Sequence, residues 1–205
     1  EAHLRYIPLD EGLRLSVDAL EKAIIEDKEN GLTPFFINAS FGTTNTGAID
    51  PIAPIAAIAK KHQLWFHVDA AYGGFFKLVP EMHSKFNGIE KADSITLDPH
   101  KTLFLPFGTG TILIKSKEKL LKAHHYLADY MQDTIDANEE ISPADISPEL
   151  TKHFRGMRLW LPLKLFGLKP FRASLEEKLL LTQYFFNEIK KMKRVEVGPK
   201  PELSV

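Results

Sequence analysis

The sequence predicts an α/β fold built on a mostly parallel sheet, and three observations carry that expectation. Short apolar runs recur along the first half of the chain: "PFFINA" at residues 34–39, "LWFHVDA" at 64–70, "DSITLD" at 93–98 and "GTILIK" at 110–115. Between the first two lies a stretch with apolar residues at helical spacing. Strand, helix and strand thus follow one another within about 35 residues, the size of a right-handed crossover joining parallel strands. Polar residues able to do chemistry come just after the runs, where open parallel sheets bind their ligands.

The elements follow in order. Ser16 is placed to cap a helix running to about Asn30, with Val17, Leu20 and Ile24 on one face and Asn30-Gly31 as its stop. "PFFINA" then reads as a buried strand, followed by the Gly- and Thr-rich loop "SFGTTNTGAIDP". Asp50 is expected to cap the next helix, which opens on Pro51, shows Ile52, Ile55 and Ile58 on its apolar face and ends near His62. "LWFHVDA", "DSITLD" and "GTILIK" supply three more buried strands, and a helix is expected from Lys117 to about His125. From Ala128 to Ser147 the chain is polar and poorly periodic, a long loop with at most a short helical turn; loops of that length are often lids or binding elements. Ser147-Pro148 reads as the start of a helix stopping near Gly167, and Pro170 as the start of another bearing Phe171, Leu175, Leu179 and Ile189. Residues 1–155 are therefore expected to belong to an α/β domain, and 156–205 to linking helices and the start of a second domain.

Composition narrows the function. The 205 residues are 44% hydrophobic, enough for a sizeable core. With 26 basic and 27 acidic residues there is no general attraction to a polyanion, and nucleic-acid binding is not expected. The one basic run, Lys190-Lys191-Met192-Lys193-Arg194, falls at a predicted helix end, where cations suit the dipole. No cysteine is present, which excludes disulfides and thiolate metal sites and fits a reducing compartment, expected to be the cytoplasm. No apolar run approaches the ~20 residues of a membrane span. The opening "HLRYIPL" reads as a strand without an obvious partner, and "RVEVGPKPELSV" as the beginning of a new one, so the sequence is expected to be a fragment of a longer protein.

Three groups of polar residues follow strand ends: Thr43 and Thr44; Asp69; and Asp98, His100 and Lys101. Each also has a purely structural reading. The threonines can bond within their own loop, Asp69 can cap a turn, and His67 reads as a neighbour of Asp69 rather than a metal ligand. Gly73-Gly74 and "PFGTGT" are loop glycines, since no Gly-Lys-Ser/Thr follows either. Lys101 is harder to place among structural residues, because it follows Pro-His and precedes "LFLPF" between two apolar runs. In a dry site a lysine loses its charge readily and becomes a nucleophilic amine that forms Schiff bases with carbonyls. An aromatic aldehyde cofactor would use the amine, a carboxylate at its ring nitrogen, a hydroxyl and an imidazole.

At "PFFINASFGTT", "WFHVDAAYGG", "ADSITLDPHK" and "SPELTKHFRGMRLWLPLKLFG" the sequence resembles the group II pyridoxal-phosphate-dependent amino-acid decarboxylases, the family of the aromatic-amino-acid, glutamate and histidine decarboxylases. The motifs come in the family's order over nearly the whole chain, and "HVDAAYGG" with "PHK" some thirty residues on is a highly specific pair. The resemblance implies part of the large domain of a fold-type I pyridoxal-phosphate enzyme, with the start of the smaller C-terminal domain, in a homodimer acting on a small-molecule amino-acid substrate. It implies Lys101 as the Schiff-base lysine, Asp69 as partner of the pyridinium nitrogen, and Ala71 against the ring. Thr44 would contact the cofactor. His100 would lie near cofactor and substrate, either assisting proton transfer or packing at the phosphate end. "HHYLADYMQD" resembles the family's catalytic loop, which makes Tyr126 a candidate proton donor to Cα, with Tyr130 as rival. Asp98 stands where many members have an asparagine near the phosphate; since a carboxylate facing a phosphate is unfavourable, Asp98 is expected to turn aside or meet another partner. The family's upstream phosphate-binding residues are not in this sequence, so the chain is expected to carry about half a cofactor site. The alternatives are an aldehyde synthase or lyase of the same fold, or a truncated product without catalysis.

Overall fold

The computed structural model describes residues 3–124 and 143–205. Tyr126, Tyr130 and most of the expected loop at 128–147 lie outside the described residues.

Helix α1 (Val17–Glu29) begins at Ser16, whose hydroxyl accepts from the Ala19 amide, and ends at Asn30. Strand β1 (Phe36–Ser40), helix α2 (Ile52–His62) and strand β2 (Trp65–Asp69) form the expected crossover, with β1 and β2 parallel. Strand β3 (Ser94–Leu97) pairs parallel with β2, and β4 (Thr111–Ile114) pairs antiparallel with β3, so the sheet order is β1-β2-β3-β4. One turn of helix, α3 (Pro99–Thr102), follows β3 directly; α4 (Lys117–His124), α5 (Gly156–Phe166) and α6 (Lys169–Ile189) complete the described helices.

Side chains alternate across the sheet, as a period of two requires. Ile37, Ala39, Phe66 and Val68 turn inward onto Ile52, Ile55, Ala56 and Ala59 of α2. Burying each large side chain of this kind contributes about 1.5–3 kcal/mol. Leu20 and Ile24 of α1 join the same core, as does Leu175 of α6. The opposite alternation puts Phe36, Asn38 and Ser40 in register with Trp65, His67 and Asp69, so Asp69 ends the row on the more open face.

Five expectations need correction. Asp50 does not cap α2: Pro51 holds that position without a side-chain bond, and the Asp50 carboxylate accepts from Leu15 N and Ser40 N, both at 2.7 Å. It thereby ties the approach to α1 to the end of β1. Burial pushes its carboxyl above the usual carboxylate range, against the opposing effect of the two amides. Strand β4 is not buried; as the antiparallel outer strand it leaves Ile112 and Leu113 half exposed. The helix expected from Ser147 starts instead at Gly156, because the Ser147 hydroxyl donates back to the Pro143 carbonyl and closes the preceding turn. "HLRYIPL" makes only an isolated bridge, Leu9 to Leu15. "RVEVGPKPELSV" forms no strand; it runs back to the sheet and buries Leu203 in the core.

Candidate active site

The parallel order of β1, β2 and β3 sends their carboxyl ends to one edge, and each end delivers polar groups. After β1, the loop closes on itself. Gly42 and Thr43 amides both bond the Ala48 carbonyl, and the Thr43 hydroxyl accepts from Ala48 N at 3.0 Å and pairs with Thr46 at 2.7 Å. Thr43 thus has the structural role. Thr44 is exposed, and its hydroxyl makes no hydrogen bond among the described residues.

After β2, the Asp69 carboxylate accepts from the Ala71 amide at 3.1 Å, which fixes its position at the strand end. The Ala71 carbonyl in turn accepts from the Asp98 amide at 3.2 Å. Asp98 then holds the Lys101 ammonium at 3.0 Å, one helical turn on. Two hydrogen bonds and an ion pair therefore join Asp69, Ala71, Asp98 and Lys101 across the ends of two neighbouring strands. The partner of Asp98 in the structure is the lysine itself.

Lys101 is not in the dry setting the sequence suggested. Its side chain is 43% exposed, while that of Asp98 is 17% exposed. The apolar "LFLPF" that follows does not enclose the amine: Leu103 and Leu105 turn into the core, whereas Phe104 and Phe107 face solvent. Phe104 has φ +57°, a left-handed backbone that is costly for an aromatic residue and turns the chain sharply just past the lysine.

His100 Nδ1 donates to the Thr109 carbonyl at 3.0 Å, and its ring meets Phe107 edge-on. A carbonyl cannot donate, so Nδ1 carries a proton and Nε2 is left for exchange. Nε2 lies 4.0 Å from the Asp98 carboxylate, beyond hydrogen-bond reach. Thr102, next to the lysine, has a buried hydroxyl with no partner among the described residues. No sequence signal singles it out, since a threonine after a lysine is unremarkable until its burial is seen.

Two residues before Asp69, His67 bonds the Ser94 hydroxyl at 2.7 Å and the Thr96 hydroxyl at 3.2 Å, and stacks on Phe36. Both ring nitrogens are satisfied, in line with its reading as a neighbour. Burial holds its pKa below the ordinary imidazole value, only partly offset by the nearby Asp69 charge.

A concavity of about 750 Å³ lies at the opposite end of the strands, lined by Lys60, Lys61, Leu64, Lys91, Asp93 and Lys115 among others. Thr44, Asp69, His100 and Lys101 do not line it.

The edge formed by Thr44, Asp69, His100 and Lys101 fits pyridoxal phosphate on the chemistry of its donors. A primary amine is reachable from solvent, a fixed carboxylate stands on the neighbouring strand, and an unused hydroxyl stands on the next. This donor set suits an aldehyde cofactor held at the edge of an α/β sheet. Residues 1–205 match the family model described as the pyridoxal-dependent decarboxylase conserved domain, and the chain belongs to that family. It is 36% identical over 200 residues to an aromatic-L-amino-acid decarboxylase of Bacillus atrophaeus, covering 97% of this chain and 42% of that one. It is 32% identical over 198 residues to a phenylacetaldehyde synthase of Petunia hybrida, covering 95% of this chain and 39% of the relative. The fold superposes on Oryza sativa TDC, solved with PLP and tryptamine, with a TM-score of 0.92 at 26% identity, over 98% of this chain and 41% of that one. The chain thus spans less than half the length of these relatives.

Proposed function

We propose that this chain supplies the lysine-bearing part of a pyridoxal-phosphate-dependent amino-acid decarboxylase, a carboxy-lyase that releases carbon dioxide from an L-amino acid to leave an amine. The chain of contacts from Asp69 through Ala71 and Asp98 to Lys101, two hydrogen bonds and then an ion pair, is the observation that carries the reading. It brings a carboxylate and a primary amine from separate strands to one edge, with Thr44 on the adjoining loop.

In this reading Lys101 would hold the cofactor through its aldehyde, Asp69 would pair with its ring nitrogen, and Ala71, Thr44 and His100 would make further contacts with it. When bound, the cofactor supplies a sink for the electron pair that carbon dioxide leaves behind on Cα. This chain's residues do the rest. Lys101 must part from Asp98 and give up a proton before it is a nucleophile. His100, with Nδ1 committed to Thr109, offers Nε2 to hold or pass a proton beside Lys101. Tyr126 is the other proposed donor to Cα.

The active protein is proposed to be a cytoplasmic homodimer, with residues 1–155 in the cofactor domain and 156–205 leading into the smaller one. Support for burial against further protein comes from α6, which leaves Leu180, Leu181, Tyr184 and Phe185 exposed. The Petunia relative favours one second reading, an aldehyde synthase of the same fold. Product analysis on the whole protein separates the two, since amine with carbon dioxide marks the first and aldehyde with peroxide the second.

The cofactor reading has a direct test in this chain. Incubation with pyridoxal phosphate, borohydride reduction and peptide mapping should place the label chiefly on Lys101 and lose it in Lys101→Ala. Label spread evenly over the surface lysines, unchanged by that substitution, would overturn it.

A further inference from the structure

The loop that carries Thr44 is held from a distance. Residues Glu202, Leu203 and Ser204 are more than a hundred positions away in sequence, yet each touches it or the strand end beside it. The Glu202 carboxylate accepts from the Ile49 amide at 2.9 Å and pairs through its other oxygen with Lys85. Leu203 is 1% exposed and lies over two glycines. A Cβ at Gly42 would fall 2.7 Å from Leu203 Cδ1, and one at Gly73 would fall 3.0 Å from it and 2.2 Å from the Phe41 carbonyl. The glycines thus leave a notch that the leucine fills. Ser204 completes the seam, its hydroxyl 2.8 Å from that of Tyr72.

The two elements so joined are the ones that set the site. Gly73 N bonds the Phe41 carbonyl at 3.0 Å, linking the residue that opens the Thr44 loop to the turn that follows Asp69 and Ala71. Phe41 N bonds the Asp69 carbonyl at 2.7 Å. Leu203 packs over this junction from outside, and Glu202 fixes the loop's far end at Ile49. Within the loop, the main-chain bonds are short-range turns that open easily unless something covers them.

We propose that Glu202, Leu203 and Ser204 are positioning residues for the cofactor site, holding the loop of Phe41–Ile49 against the end of β2 so that Thr44 and Asp69 keep a fixed relation. The proposal rests on the cofactor reading only for the consequence at Lys101. The clamp itself is read without any cofactor.

Amide hydrogen exchange on the chain, with Leu203→Ala, Glu202→Ala and Tyr72→Phe as separate variants, tests it. The expected result is faster exchange at Gly42, Thr43, Gly47 and Ile49, about tenfold or more in Leu203→Ala, with the α1 amides unchanged; such local opening is distinct from global unfolding. Leu203→Met should restore the original rates. Reductive trapping of pyridoxal phosphate at Lys101 should fall several-fold in the same order of variants. Loop exchange that stays at the unsubstituted rate in all three, or acceleration shared equally by α1, would overturn the clamp. Fast loop exchange with undiminished trapping at Lys101 would overturn its role at the site. Absence of Lys101-specific trapping in the unsubstituted chain is a different outcome: it sinks the cofactor reading, and with it the proposed role, while the exchange data still decide whether the clamp exists.

Discussion

Lys101 and Asp98 form an ion pair at 3.0 Å across one helical turn, and the lysine side of that pair is open to solvent. The amine that the proposed chemistry needs is thus engaged by its own neighbour. A pair this exposed contributes less than about 1 kcal/mol. Asp98→Asn should therefore raise the initial rate of borohydride trapping at Lys101 by roughly two- to fivefold, within what that energy allows. A fall in that rate on peptide mapping would mean that Asp98 helps to place the amine.

Asp69 is fixed by the Ala71 amide at the end of β2. If it faces the cofactor's ring nitrogen in the whole protein, removing its charge should slow decarboxylation much more than it weakens binding. Asp69→Ala is expected to lower kcat by about 10²–10³, the usual effect of one preorganised electrostatic group. Steady-state kinetics alongside a cofactor-binding titration read the two effects separately.

Asp50 accepts two backbone amides from separate parts of the chain and is 6% exposed. Alanine there leaves both donors buried and unpaired, each costing about 1–3 kcal/mol. Asp50→Ala should lower unfolding free energy by roughly 2–6 kcal/mol in urea titrations, a sum of two such losses.

His67 gives a pH signature. Its folded pKa lies below the ordinary value of 6.5, chiefly through burial. The neutral ring is thus favoured in the fold, and the stability it contributes is present above pH 6.5 and lost as pH falls through the lower folded value. Compared with His67→Gln, the unsubstituted chain should lose stability on acidification from pH 7.5 to 5 while the difference between them narrows. Parallel denaturation curves for the two proteins would show a constant gap if the ring titrates alike folded and unfolded.

Much of this architecture is legible in the residues. Ser16 and Asn30 bracket α1 because capping is local chemistry, and Ile52, Ile55 and Ile58 mark α2 because burial imposes helical spacing. The strand ends that bear Thr44, Asp69 and Lys101 follow from the parallel crossover. The rest depends on partners that the local pattern does not fix. Asp50 before Pro51 has the local form of a cap, but its donors sit at Leu15 and Ser40. Ser147-Pro148 has the form of a helix start, yet the serine bonds backward to Pro143. Leu203 in "PELSV" suggests a strand, and only the notch above Gly42 and Gly73 shows where it goes. Lys101 was legible as unusual, whereas its counter-ion needed the geometry of α3.

The outer strands of the sheet carry a practical consequence. Among the described residues β1 and β4 each have one side without a neighbour, and Phe36, Ile112 and Leu113 on them, with Phe35 just before β1, stand about half exposed or more. Unpaired main-chain groups beside apolar side chains invite a further strand from any molecule that comes near. Prepared by itself at high concentration, this polypeptide should turn cloudy on standing, and charged replacements at Phe36 and Ile112 should keep it clear.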